Sequence, residues 1–153
     1  MLRWIAALIA VSGLAMTALL VAPSPATSAE APVQKKPRFV LNLTSGSADV
    51  HRSTMALSLA KHAIDDGREV VIFLNVRGAE LARKEGPKSS FGDNPPPNKM
   101  LADLITSGAQ VHVCPMCLEG LSMKKDDLIS GCTITDRQKL FSKLTEDATV
   151  FSY

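Results

Sequence analysis

The chain is short of aromatic residues, with one Trp, one Tyr and five Phe among 153 positions, and no massed block of basic residues stands beside them. Its lysines are scattered, as at Lys35, Lys36, Lys61, Lys84, Lys99, Lys124 and Lys125, and the formal charge is only +2. A nucleic-acid surface needs a positive groove and stacking rings, so that class is excluded. Cysteine is also sparse, three in all, and odd in number. Three thiols make no closed disulfide framework: at least one stays unpaired, as when Cys114 bridges Cys117 and leaves Cys132 free. The chain has no Gly-Lys-Ser/Thr phosphate loop, so nucleotide binding is unsupported. A second ligand pair at zinc spacing is missing. No cofactor is expected. Internal repeats are absent, and the only biased tract is the triplet Pro95–Pro97.

The one long apolar run lies at the N-terminus. Arg3 is followed by Trp4 to Ala22, interrupted only by Ser12, Gly13 and Thr17, and then by the small, Pro-rich stretch Pro23 to Ala29. This is the layout of a secretory signal, with cleavage after Ala29 or Ser28. A run of roughly 20 apolar residues also suffices to span a bilayer, so a retained anchor is the alternative and the only membrane contact expected. Either reading places the folded part outside the cytoplasm, as a periplasmic or exported protein. Residues 1–29 are therefore read as signal or anchor, 30–37 as a polar linker and 38–153 as one domain. The mature chain of 124 residues is long enough for a single core without staples.

From Arg38 onward, strand-like and helix-like segments alternate. Phe39–Leu43 is a short apolar run ending in the turn Thr44-Ser45-Gly46-Ser47. Ser47 or Asp49 can cap the next helix, whose apolar positions (Met55, Ala56, Leu59, Ala60, Ala63, Ile64) recur at three- and four-residue spacing up to Gly67. Glu69–Leu74 is apolar on both faces and rich in β-branched residues, as buried parallel strands are. A short helix over Arg77–Lys84, a loop over Gly86–Asn98 and a helix closed by Gly108 follow. Gln110–Val113 reads as the third strand, Cys132–Thr135 as the fourth and Ala148–Tyr153 as the last, with a helix capped by Asp136 and carrying Leu140, Phe141 and Leu144 between the last two. Strands separated by helix-length connections imply parallel βαβ units. The expected fold is an α/β three-layer sandwich around a mainly parallel sheet of about five strands.

The chemistry concentrates in Val111-His112-Val113-Cys114-Pro115-Met116-Cys117-Leu118. A strand ending in a thiol that turns at once into a helix puts sulfur in an open-sheet crevice, near helix N–H groups that favour an anion. Pro115 suits the first helical position, which makes Cys114 the N-cap. Two cysteines at this spacing can close a disulfide across one turn, with Cys114 as nucleophile and Cys117 as the resolving thiol. The motif does not fit a thioredoxin, since it follows the third strand and Val113 precedes it. His112, two residues before Cys114, points to the same side of the strand. The turn Ser45-Gly46-Ser47 shares the sheet edge with Cys114 and offers N–H groups to an anionic substrate. Cys114, Met116 and Cys117 are also soft donors that suit Cu(I), a metal-binding alternative. A third reading is a non-catalytic oligomeric interaction module with incidental thiols. Cys132, after Gly131, is expected to lie buried beside the sheet.

The order of strand, Thr-Ser-Gly-Ser turn and helix running into Gly67-Arg-Glu-Val-Val-Ile-Phe, followed by Leu101–Leu118 with its Val-His-Val-Cys-Pro-Met-Cys-Leu and the terminal Asp147-Ala-Thr-Val-Phe-Ser-Tyr, resembles the DsrE/DsrF-like family. The resemblance covers nearly all of residues 38–153 and is most specific over Ala109–Leu118. It implies a compact α/β sandwich that is homo-oligomeric, and a cysteine at the end of the third strand, here Cys114, that carries sulfur as a persulfide. The implied partners are a sulfur donor and acceptor, either proteins or small sulfur compounds. The export signal and the second thiol, Cys117, depart from the family pattern.

Overall fold

The computed structural model describes residues 35–86 and 88–153. The signal or anchor expected over 1–29, and residues 30–34 of the linker, lie outside the described residues. Among the described residues no helix is long and apolar enough to cross a membrane.

Five parallel strands form one sheet: β1 (Phe39–Leu43), β2 (Val70–Leu74), β3 (Gln110–Val113), β4 (Cys132–Ile134) and β5 (Thr149–Ser152), in the spatial order β4-β3-β2-β1-β5. The first four strands step in one direction across the sheet. Right-handed crossovers therefore carry α1 (Val50–Asp65), α2 (Pro97–Thr106) and α3 (Pro115–Gly120) over the same face. The return from β4 to β5 runs the other way, so α4 (Arg137–Phe141) covers the opposite face. The α/β fold with a parallel five-stranded sheet is the one the alternating pattern implies.

The two layers are unequal. On the face of α1 and α2, Leu41, Leu43, Ile72, Leu74, Val111 and Val113 pack with Leu57, Leu101 and Leu104 into the main core. Each fully buried leucine there contributes about 1.5–3 kcal/mol of transfer free energy. On the other face lie Val40, Val71, Phe73 and His112, covered by a helix of five residues. Phe141 and Val150 remain 61% and 54% exposed on this thinner side.

Local chemistry explains most element ends. Asp49, rather than Ser47, caps α1: its side chain accepts from the Arg52 N–H at 3.0 Å. Gly67 closes that helix at φ +75°, a conformation that favours glycine. Asp136 caps α4 by accepting from the Lys139 N–H at 2.7 Å. Strands β2, β4 and β5 are each trimmed by a residue at one or both ends relative to the sequence expectation, and three helix boundaries also differ. The short helix after β2 is 3-10 and begins at Val76 rather than Arg77. Helix α2 starts at Pro97, inside the segment expected to be loop, because a proline fits the first helical position where no N–H is needed. Helix α4 stops at Phe141, where Ser142 turns its hydroxyl back to the Lys139 carbonyl, leaving Leu144 beyond the helix.

At the carboxyl edge of the sheet two glycines let connections touch. A Cβ on Gly78 would overlap the Leu43 carbonyl, and one on Gly46 would sit 2.9 Å from the Arg77 carbonyl carbon and 2.7 Å from the Glu80 carboxylate. The turn after β1 is thereby packed against the 3-10 segment Val76–Ala82.

Candidate functional site

Strand β3 delivers Cys114 to the carboxyl edge, where its N–H donates to the Leu74 carbonyl of β2 at 3.0 Å. Cys114 is the N-cap of α3, with extended backbone, Pro115 at the next position and no capping bond from its side chain. Helix α3 has six residues, so its help to an anion is confined to the N–H groups of its first turn. Cys117 lies one turn on. Both thiols are half-buried and unbridged. Their surroundings differ: Cys117 leans against the core, whereas Cys114 sits at the crevice end of the strand.

The backbone N–H of Val76 donates to the Cys117 sulfur at 3.1 Å. Val76 holds φ at +50°, in the left-handed region that a β-branched residue rarely enters. Such a conformation costs on the order of 1–3 kcal/mol and persists only where the surroundings over-determine it. They do so here: the Asn75 N–H donates to Leu43 O at 3.1 Å, and the Gly78 N–H donates to Thr44 O and Asn75 O at 2.9 and 2.8 Å. The Val76 side chain is 58% exposed, so its own packing offsets little of the cost. Burial pushes the Cys117 thiol up from the ordinary range, and the hydrogen bond and charge of the neighbouring Cys114 push the same way, while the Val76 N–H pulls it down.

The comparisons with known proteins bear on the family and the fold. The family model described as DsrE/DsrF-like family matches residues 38–153. The chain belongs to the DsrE/DsrF-like family. It is 30% identical over 118 residues to the uncharacterized protein MJ0989 of Methanocaldococcus jannaschii, a match covering 76% of this chain and 99% of that protein. It is likewise 30% identical over 106 residues to the uncharacterized protein MK0008 of Methanopyrus kandleri, covering 67% of this chain and 82% of that one. Among solved structures, a protein of unknown function from Methanobacterium thermoautotrophicum, MTH1491, superposes with a TM-score of 0.59 at 14% identity, covering 77% of this chain and all of its own. The ychN protein of E. coli does so with a TM-score of 0.58 at 16% identity, over 76% and 99% of the two chains. At those identities the structures establish the fold alone, an α/β sandwich.

Within this DsrE/DsrF-like domain the other sequence candidates fall in separate places. Ser45, Gly46 and Ser47 do share the sheet edge with Cys114, but the donors of Ser47 are already used. The Ser47 N–H and hydroxyl both donate to Glu80, at 3.1 and 2.6 Å, and the Ser45 and Gly46 carbonyls accept from the Ser53 hydroxyl at 3.1 Å each. The carboxylate of Glu80, ion-paired with Arg77, puts a negative charge against Ser47. A polar cleft of about 560 Å³ opens next to these groups, lined by Ser47, Arg77, Glu80, Arg83, Gly120 and Ser122. Neither thiol is among its lining residues.

His112 is 6% exposed and faces the thinner side of the sheet, with its Nδ1 unpartnered. Burial first, then Lys143 and Lys139 of the α4 side, hold it below the ordinary histidine range and favour the neutral ring. It shares a strand face with Cys114, but the two are separated by two residues, roughly 7 Å of strand. Met116 is 79% exposed, and as the immediate neighbour of Cys117 it points to a different side of α3. The donors Cys114, Met116 and Cys117 therefore do not converge, and among the described residues no group of three His, Cys, Asp or Glu side chains is placed to share a metal. Cys132 pairs with Val111, packs against the core, and is pushed by burial to about 11. It is three residues from the level of Cys114, about 10 Å along the strand, and on the opposite face.

Three groups at this edge escape the sequence reading. Besides Val76 and Glu80, an amide relay crosses the strands: Asn75 donates to Asn42, and Asn42 donates to the Ser152 hydroxyl at 3.1 Å. The polar Asn42 inside an apolar strand is the one signal that pointed there.

Proposed function

We propose that this protein takes up sulfane sulfur on Cys114 as a persulfide and that Cys117 resolves it. The observation carrying this reading is the asymmetry of the pair: a half-buried thiol at the strand end, and beside it a second thiol held by a backbone N–H. In the loading step the Cys114 thiolate attacks the outer sulfur of a donor persulfide or polysulfide. The new S–S bond forms on Cys114, the donor's inner S–S bond breaks, and the donor leaves as a thiolate that takes a proton from solvent. An acceptor thiolate attacking the outer sulfur then receives it and returns Cys114. Alternatively, Cys117 attacks the Cys114 sulfur: hydrosulfide leaves, the sulfane sulfur is reduced to sulfide, and the two cysteines are oxidised to a disulfide, which an external thiol reductant must reopen. Without sulfane sulfur the same pair exchanges disulfides.

The leader read over residues 1–29 supports work outside the cytoplasm, and family membership supports a sulfur-carrying partner and assembly of several copies. The test is intact-protein mass spectrometry with peptide mapping on the reduced protein after exposure to polysulfide. A gain of one sulfur atom on Cys114, absent in Cys114→Ser, is the expected result. Equal loading in Cys114→Ser refutes the assignment. Loss of two hydrogens between Cys114 and Cys117 without any sulfur gain restricts the function to disulfide exchange.

A further inference from the structure

We infer that Val76 is a positioning residue for the thiol pair, its backbone N–H making Cys117 the leaving sulfur and directing every incoming thiolate to Cys114. The inference rests on reading the pair as a reactive dithiol, and it adds a direction to that chemistry.

The geometry argues for it in three steps. The second residue after β2 adopts a left-handed backbone although it is a valine with an exposed side chain, so neither propensity nor packing of that residue accounts for the conformation. Its N–H has no backbone acceptor and ends instead on the Cys117 sulfur at 3.1 Å. The scaffold that holds it is built from β1 and β2, through Asn75 to Leu43 and Gly78 to Thr44, and not from α3 itself. The donor is therefore fixed independently of the helix carrying the thiols, as an anion-stabilising group must be if it is to stay in place while sulfur bonds change.

In the oxidised pair, an external thiolate attacks the Cys114 sulfur, forming a mixed disulfide there. The Cys114–Cys117 bond breaks, and Cys117 departs as a thiolate onto the Val76 N–H. No net oxidation occurs in this step; one S–S bond replaces another. Attack in the opposite sense would expel Cys114, which lacks that donor. Once Cys114 is tied in a covalent S–S bond, its charge no longer acts on Cys117, and the contest at Cys117 is between burial and the amide. By microscopic reversibility the same N–H stabilises Cys117 as the nucleophile when the ring closes.

Two measurements test this without using sulfane sulfur. In ¹H–¹⁵N spectra of the reduced protein, the Val76 amide is expected to titrate with Cys117, to do so still in Cys114→Ser, and to lose that response in Cys117→Ala. An amide that ignores Cys117 overturns the proposal. In the second, the oxidised protein is opened with glutathione, quenched with acid and mapped. Wild type and Val76→Ala, which keeps the N–H, are expected to carry glutathione on Cys114. Replacing the Val76 amide by an ester, which removes the N–H while leaving the left-handed backbone accessible, is expected to reduce that preference by roughly tenfold, the change implied by one hydrogen bond to a charged sulfur. A preference unchanged in the folded ester variant overturns the proposal; should that variant not fold, the amide titration decides. If Cys114 never loads sulfur while both readouts behave as stated, the sulfur-carrier reading fails and the directional dithiol stands.

Discussion

Gly78→Ala tests whether the two loops at the carboxyl edge are locked together as the packing implies. The added Cβ would overlap the Leu43 carbonyl oxygen and lie 2.8 Å from its carbon, inside the 3.0 Å that real Cβ contacts essentially never breach. Neither side has room to yield. Leu43 is fully buried at the end of β1, and its carbonyl already accepts from the Asn75 N–H at 3.1 Å. The Gly78 N–H is itself committed to Thr44 O and Asn75 O. Separating the loops by about 1 Å carries the ordinary cost of overpacking, about 1–3 kcal/mol. Stretching one or two backbone hydrogen bonds adds about 1 kcal/mol each, for a total of about 2–5 kcal/mol. Against a typical domain stability of about 5–15 kcal/mol that is a large fraction. Urea denaturation followed by circular dichroism measures it as a lowered midpoint. Gly120→Ala is the control, since a Cβ there meets nothing within 4 Å, and its midpoint is expected to hold or rise. A Gly78→Ala loss below about 1 kcal/mol would refute the claim that these loops are in obligatory contact, and with it the scaffold invoked for the Val76 amide.

Two further predictions concern titratable groups. Burial takes the Cys132 thiol from an ordinary 9.0 to about 11, so its thiolate fraction at neutral pH falls about hundredfold and pulse alkylation with iodoacetamide is expected to spare it by a similar factor; labelling of Cys132 as fast as Cys114 would contradict its burial against the sheet. At the amino edge, Glu69 accepts from Arg38 at 2.8 Å and from Gln110 at 3.0 Å, tying β2 to the start of β1 and to β3. The Arg38 hydrogen bond holds the Glu69 carboxyl below its usual range. A carboxylate lowered in the folded state contributes stability above its unfolded value near 4.5 and loses it as pH falls through the folded one. Glu69→Gln is therefore expected to cost about 1–2 kcal/mol at pH 7, discounted for partial exposure, and to converge with wild type in acid. A difference that persists unchanged at low pH would show that the effect is packing and not charge.

The elements that position the site were legible because each announces itself locally. Short apolar and β-branched runs mark β1, β2 and β3, three- and four-residue spacing marks α1, and Asp49, Gly67 and Asp136 mark helix ends by their own chemistry. The right-handed crossover then brings Cys114 to the same sheet edge as the Ser45–Ser47 turn without any further information. What stayed hidden is what a different crossover lends to a residue. Nothing around Ser47 announces that Glu80, 33 positions on, takes both of its donors; that depends on the approach Gly46 and Gly78 allow. Met116 reads as a sulfur ligand by type and is turned to solvent by its place on α3. Val76 is the sharpest case, because a valine between the strand ending at Leu74 and the helix expected from Arg77 announces nothing, and its left-handed backbone is held by the bonds of Asn75 and Gly78 to Leu43 and Thr44. The location of the thiols is thus a property of β3 and α3. Their chemical inequality is imposed by the loop after β2, and substitutions in that loop should redirect the chemistry without touching a cysteine.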